Sequence, residues 1–317
     1  MLNILTRGVR RFQSVTPEQG WRPEADVVWI DLLRPTREEE LAVEAALNLD
    51  LPTLAEMQEI EPSSRLYQEN GATFMTATLL ANSTGPSPET TPVTFVLSAG
   101  RLVTLRYAEL RAFSVFAERA PESGVESGSA ALLGLWDAVL QRLADVLEAV
   151  GAQVEAASAG IFQRPDGGDF RPLLTALAQA QSMTSLARTS LVSLARVISY
   201  GGLAHEIASD RECQTHLGSL QVDDQSLTEH ASYLGGHISF LLDAALGLIN
   251  IEQNGIIKFF SVVAVVFLPP TLVASIYGMN FKVMPELNWA WGYPMAIVLM
   301  VLSAVLPVLW FKQRGWL

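Results

Sequence analysis

Apolar positions change their spacing twice along the chain. Between residues 25 and 107 they come in short alternating runs: ADVVWIDLL (25–33), SRLYQEN (64–70), ATFMTATLL (72–80), TPVTFVLS (91–98) and RLVTLRY (101–107). Alternation over such lengths predicts half-buried strands. Asn70-Gly71 and Ala99-Gly100 fall between them and predict hairpin turns. Pro35 and Thr36 open a helix, TREEELAVEAAL, with acids in its first turn where the helix dipole favours them. Shorter helices are predicted over 51–60 and 109–120, before a linker at 121–129. Residues 1–128 form an α/β domain on this reading.

From Ala130 the spacing becomes helical. One amphipathic helix runs to Phe162, a turn follows at 163–169, and a second helix returns over 171–202. Two long helices joined by so short a turn pack antiparallel. A third helix begins near Asp210 and shows no firm break before Tyr277. Gly235-Gly236 weakens it by about 1 kcal/mol per glycine. Nearly 70 residues span about 100 Å. A helix of that length needs partners, most simply copies of itself.

The last change is to continuous apolarity. IIKFFSVVAVVFLPPTLVASIYGMN (256–280) and YPMAIVLMVLSAVLPVLWF (293–311) each approach the roughly 20 residues that cross a bilayer. Trp and Tyr edge both runs, as at membrane interfaces. They predict a two-helix transmembrane hairpin at 255–317, beyond a helical region of helix pair and stalk at 129–254. Lys258 enters the first span; Lys312 and Arg314 follow the second; the loop between carries Lys282 and Glu286. Positive residues mark the cytoplasmic side, so both termini are expected in the cytoplasm. The N-terminal MLNILTRGVRRF lacks the apolar core of a signal peptide. The expected class is an α+β membrane protein, multi-pass in the inner (plasma) membrane.

Charge sharpens the division. Residues 1–255 hold 17 Arg, no Lys and 32 acids, a balance of -15; residues 256–317 carry +3. An acidic soluble part argues against nucleic acid and suits a protein that gathers cations. A single cysteine, Cys213, excludes an internal disulfide. No GxxxxGK[ST] or GxGxxG occurs, and no nucleophile or His/acid cluster suggests an enzyme.

The long helix also carries a heptad. Asp243, Asn250, Ile257, Ala264 and Thr271 are seven apart; Gly247, Asn254, Ser261, Leu268 and Ser275 fall between them. A period of 3.5 belongs on the axis of a parallel bundle. Amides and a carboxylate are costly on a dry axis but solvated around a wet pore. The alternative is that these residues face outward and the seam lies elsewhere.

Tyr277-Gly278-Met279-Asn280-Phe281, Met284-Pro285-Glu286-Leu287, Trp291-Gly292-Tyr293-Pro294 and the final Gly-Trp-Leu resemble the C-terminus of the CorA family of magnesium channels. The resemblance implies a homopentamer with a cytosolic funnel, the first span lining the pore and the second outside it. It implies that Gly278, Met279 and Asn280 form the outer mouth, where Asn280 binds the hydrated ion. Asp243 and Asn254 take the polar positions at the cytosolic end, Ile257 and Leu268 the apolar constrictions, and Glu286 the acid that draws cations. Mg²⁺ is then both cargo and possible regulator, with no cofactor. The family's acidic stalk position falls at Ser219, beside Asp223 and Asp224. The lysine-rich tail is reduced to Lys312-Gln313-Arg314, and Pro269-Pro270 doubles a proline that is usually single.

Two other readings stand beside this one. A related branch moves Zn²⁺, and Co²⁺ or Ni²⁺ are further candidates. Zinc prefers His and Cys, present as His205, His216, His230, His237 and Cys213, all on the soluble part. A non-conducting membrane-anchored scaffold or sensor would need the hairpin but not Asn280.

Overall fold

The computed structural model describes every residue except 9–11, 19, 60, 86, 121–123, 164–168, 281, 283 and 316–317, and omits the side chains of 62, 286 and 287. Part of the predicted linker, most of the turn at 163–169, Phe281 and the terminal Trp316-Leu317 therefore lie outside the described residues. The chain divides into two compact units, one of residues 1–164 and 169–242, the other of 165–168 and 243–317.

In the first unit, seven strands form one mixed sheet in the order β2-β1-β3-β7-β6-β5-β4. They are β1 (Leu2–Thr6), β2 (Gln13–Val15), β3 (Val27–Leu33), β4 (Leu66–Glu69), β5 (Ala72–Ala81), β6 (Glu89–Ser98) and β7 (Arg101–Arg106). Among the described residues only β3 and β7 pair in parallel, and β3 is buried on both sides, as a parallel strand covered by two helical layers must be. Ile30, Leu32, Phe74, Val96 and Val103 pack toward α1 (Arg37–Leu47) and α2 (Leu54–Gln58), with Val43 and Met57. Trp29, Phe95 and their neighbours pack instead on α4 (Arg111–Arg119) and α5 (Gly128–Phe162), through Phe113, Phe116 and Trp136.

Local chemistry explains the ends of these elements. Thr36 and Glu39 close a capping box on α1, and Thr53 and Glu56 close another on α2. Asn70-Gly71 and Ala99-Gly100 all have positive φ, the two-residue geometry that matches strand twist. Three features depart from expectation. Strands β1 and β2 were not legible: β1 joins the sheet through its non-local pairing with β3, and β2 pairs only with β1. The run SRLYQEN opens in a helical turn, α3 (Pro62–Arg65), before β4. Helix α5 starts at Gly128 rather than Ala130. Its N–H donates to Gly100 O at 2.8 Å, and a Cβ there would lie 2.4 Å from the Arg101 carbonyl carbon.

Helix α6 (Arg171–Gly201) returns along α5, and α7 (His205–Ala208) turns the chain into α8 (Arg211–Tyr277). Helix α8 is continuous for 67 residues, through both Gly235-Gly236 and Pro269-Pro270. Its buried stripe in the first unit is Cys213, Leu217, Leu220, Asp224, Ala231, Leu234, Ile238 and Leu241. The spacing of three and four marks one helical face. That face meets α5 and the end of α6: a Cβ on Gly151 would touch Leu234, and one on Gly202 would touch Leu217.

The second unit contains the rest of α8, a 3₁₀ turn (Pro285–Asn288) and α9 (Gly292–Gln313). Helices α8 and α9 are the two, among the described residues, long and apolar enough to cross a membrane.

Candidate functional site

The heptad residues occupy one stripe of α8. At about 100° per residue, Asp243, Gly247, Asn250, Asn254, Ile257, Ser261, Ala264, Leu268, Thr271 and Ser275 fall within about 120° of arc. Asp243, Asn250, Asn254, Thr271 and Ser275 are exposed, as are Ile257 (61 %) and Leu268 (67 %); Ala264 is half-buried. The half-buried Val262, Val263, Val266, Pro270, Val273 and Tyr277 centre on the opposite side. Between Val262 and Tyr277 coverage centres away from Leu268, Thr271 and Ser275, whereas residues 250–261 are exposed on every side of the helix. On α9 the covered stripe runs through Gly292, Ala296, Met300, Ala304, Pro307 and Phe311, largely small side chains that admit a close neighbour.

Polar groups on the apolar part of α8 are satisfied locally. The Ser261 hydroxyl donates to Ile257 O at 2.8 Å and the Thr271 hydroxyl to Phe267 O at 2.7 Å. Each keeps its oxygen lone pairs on the bare stripe. Pro269 and Pro270 donate nothing, so the carbonyls of Val265 and Val266 lose their usual ladder partners.

The helix stops where the motif begins. Gly278 N–H donates to Ala274 O at 2.8 Å, and Met279 N–H to Ile276 O at 3.3 Å. Asn280 follows, exposed, directly beyond the helix end. Glu286 lies in the 3₁₀ turn, and its side chain is outside the described residues.

The histidines and the cysteine do not converge. Cys213 is buried against the Ser129 hydroxyl at 3.8 Å, and burial pushes its thiol pKa up. His216 acts instead on Asp137 of α5, whose carboxyl is raised by burial and lowered by that imidazole. His230 and His237 stack with the exposed Tyr233 and Phe240 along α8. Among the described residues no three His, Cys, Asp or Glu side chains are placed to hold a metal. Ser219 is exposed, its hydroxyl reaching only Thr215 O at 3.5 Å.

Asp224 was the residue whose importance spacing understated. It sits on the buried stripe of α8, 3 % exposed, and its Oδ1 has no hydrogen-bond partner; the Thr228 hydroxyl one turn on is equally unpartnered. Burial alone pushes its pKa up to about 7. The heptad Leu217, Leu220, Asp224, Ala231 carried that signal in the sequence.

Known proteins share this arrangement. The magnesium transport protein CorA of Escherichia coli strain K12 is 37 % identical over 298 residues, covering 93 % of this chain and 94 % of the relative. The complete structure of the CorA magnesium transporter from Methanocaldococcus jannaschii superposes with a TM-score of 0.76 at 18 % identity, covering 100 % of this chain and 99 % of that one. The cytoplasmic domain of ZntB from Vibrio parahaemolyticus shares the fold of the soluble part, with a TM-score of 0.59 at 11 % identity over 79 % of this chain and 99 % of that one. The family model described as CorA-like Mg2+ transporter protein matches residues 24–313, from the first sheet core to the end of α9. With a long helix ending in Gly-Met-Asn, a second apolar helix after it in sequence and relatedness across nearly the whole length, the chain belongs to the CorA-like Mg2+ transporter family, a family of transporters and not of enzymes.

Proposed function

We propose that the protein is a homopentameric channel that passes hydrated Mg²⁺ inward down its electrochemical gradient. One observation carries this reading: Asp243, Asn250, Asn254, Thr271 and Ser275 share one stripe of α8 and are all exposed, and between Val262 and Tyr277 the half-buried positions centre opposite it. A helix with its small and polar residues uncovered at spanning length needs an aqueous neighbour, because isolated polar groups are costly in lipid. Five copies around an axis supply it.

The mouth chemistry suits a hard, strongly hydrated ion. Mg²⁺ gives up water reluctantly. Five Asn280 carboxamide oxygens accept hydrogen bonds from its bound water, so the ion need not be stripped. Carboxylates in the same ring would hold it too tightly for release. Two charges crossing 100 mV yield about 4.6 kcal/mol, so entry needs no fuel. Asp243 supplies the charge at the other end of the stripe, and Ile257 and Leu268 supply the narrow apolar levels between. Lys258, Lys312 and Arg314 support a topology with both termini in the cytoplasm, the chain in the inner membrane and Glu286 in the outer loop.

Asn280→Ala tests the assignment. In liposomes carrying a Mg²⁺ indicator, the variant assembles as the parent does and takes up no Mg²⁺. Undiminished uptake at equal pentamer content overturns Asn280 as the mouth.

A further inference from the structure

Residues 1–255 hold nearly twice as many acids as arginines. One groove is different. Arg65 at the end of α3, Thr78 of β5, and Arg188, Thr189, Ser193 and Arg196 on one face of α6 line a cavity of about 380 Å³, and among the described residues no acid lines it.

Arg65 is half-buried. Its Nη1 donates to the Thr78 hydroxyl at 3.0 Å, its Nη2 to Met57 O at 3.2 Å and its Nε to Glu59 O. These acceptors are neutral, so the guanidinium is positioned but its charge is not balanced. Burial lowers its pKa first, and the nearby charge of Arg196 lowers it further; no carboxylate acts against either. Arg188 and Arg196 have no ion-pair or hydrogen-bond partner among the described residues. Arg65 and Arg196 carry like charges close enough to act on each other, and an anion between them removes that cost.

The hydroxyls point to the same chemistry. Thr78 Oγ1 accepts from Arg65, and Ser193 Oγ accepts from the Thr78 backbone N–H at 2.8 Å. Neither hydroxyl proton has an acceptor among the described residues, so each is free to donate into the groove. The lining thus offers guanidinium forks and O–H donors without a competing carboxylate. Planar guanidinium forks match the oxygens of phosphate in pairs. Arg188 and Arg196 are eight residues apart, about 12 Å along α6. That separation suits a run of linked phosphoryl groups better than one alone.

We propose that the groove between α6 and the β5 edge binds a phosphoryl oxyanion, with Arg65 as its fixed floor and Arg188 and Arg196 as its two flanking arms. The ligand class is a phosphate chain, free or as the tail of a nucleotide. The site stands apart from ion conduction and does not rest on the transport reading.

Isothermal titration calorimetry on the full chain in detergent tests it. EDTA is present throughout, because phosphate chains chelate Mg²⁺ and would otherwise report on the metal. Inorganic phosphate, pyrophosphate and ADP are titrated separately. Saturable submillimolar binding of at least one of them is expected, weakened at least about tenfold in Arg188→Gln/Arg196→Gln. Both positions are exposed, so the variant folds; Arg65 is left intact because it holds the Met57 and Glu59 carbonyls. Pyrophosphate and ADP binding more tightly than phosphate supports a chain of phosphoryls; equal affinities overturn the chain as the ligand class. No saturable heat with any titrant, or the same affinity in the double variant, overturns the proposal. So does a charge-reversed Arg188→Glu/Arg196→Glu protein that changes its oligomeric mass yet binds anion unchanged, since the groove is then a contact between subunits.

Discussion

Asp31 and Arg106 face each other across the parallel pair β3 and β7, with Nη2 to Oδ2 at 2.8 Å and Nε to Oδ1 at 3.0 Å. Both are nearly fully buried. The Thr104 hydroxyl donates to Asp31 Oδ1 at 2.8 Å, the Trp29 indole donates to Thr104 at 2.9 Å, and the guanidinium lies 4.6 Å from the Phe113 ring. A buried pair this well satisfied adds little net stability against an apolar substitute, but removing one partner strands the other. Arg106→Met is expected to cost about 3–5 kcal/mol, while Asp31→Leu/Arg106→Met recovers part of that loss. Denaturant unfolding followed by tryptophan fluorescence checks both, because Trp29 belongs to the network. Equal loss in the single and double variants would contradict this account.

Asp224 makes stability depend on pH. Its folded pKa is about 7, well above the ordinary value of 3.8, with burial as the sole cause. The folded state therefore keeps its proton where the unfolded state loses it. Stability is fully present below about pH 4 and falls as pH rises toward 7, by at most about 1.4 kcal/mol per unit. Above that window the loss is complete and the dependence flattens. Asp224→Asn removes the ionisation, so it matches the parent near pH 4 and exceeds it at pH 8. Melting temperatures across that range provide the measurement, and parallel profiles would rule the buried carboxyl out.

Gly128 and Gly218 should respond oppositely to alanine. A Cβ on Gly128 would sit 2.4 Å from the Arg101 carbonyl carbon and 2.5 Å from Leu102 N, backbone atoms that cannot step aside. Gly128→Ala is expected to lose about 1–3 kcal/mol, as overpacking does. Gly218, inside α8, has nothing within 4 Å of that position. Gly218→Ala is expected to gain about 0.5–1 kcal/mol through helix propensity. Thermal unfolding of the two variants side by side checks the pair.

What the sequence made legible was what is periodic or local. The hairpin turns at Asn70-Gly71 and Ala99-Gly100, the helix opened by Thr36, and α8 to Tyr277 all follow from spacing and turn chemistry. Strand β1 did not, because LNILT enters the sheet through its non-local register with β3, Leu2 against Leu32. At the site, heptad arithmetic placed the α8 stripe but could not say which positions between 262 and 277 are partly covered. That required the half-burial of Val263, Val266 and Tyr277 opposite it. The groove of Arg65, Arg188 and Arg196 was invisible for the same reason as β1: its members lie far apart in sequence and meet only when α6 packs on β5.

Leu268 separates an axial stripe from a lipid-facing one. On the proposed pore it forms an apolar ring, and such rings impede ions by excluding water rather than by closing sterically. Leu268→Asn wets that level, so Mg²⁺ uptake into liposomes rises at equal pentamer content. The comparison is Leu306 on α9, 60 % exposed and not on the α8 stripe. Leu306→Asn bears a similar insertion cost, about 2 kcal/mol or less for an uncharged polar residue at mid-span. It lowers yield but leaves flux per pentamer unchanged. If Leu268→Asn loses yield and changes flux no more than Leu306→Asn does, the stripe from Asp243 to Ser275 faces lipid, and the proposed path for the ion is wrong. A selective rise at Leu268 alone places that side chain against water, which in a span this apolar is present only along an axis shared between subunits.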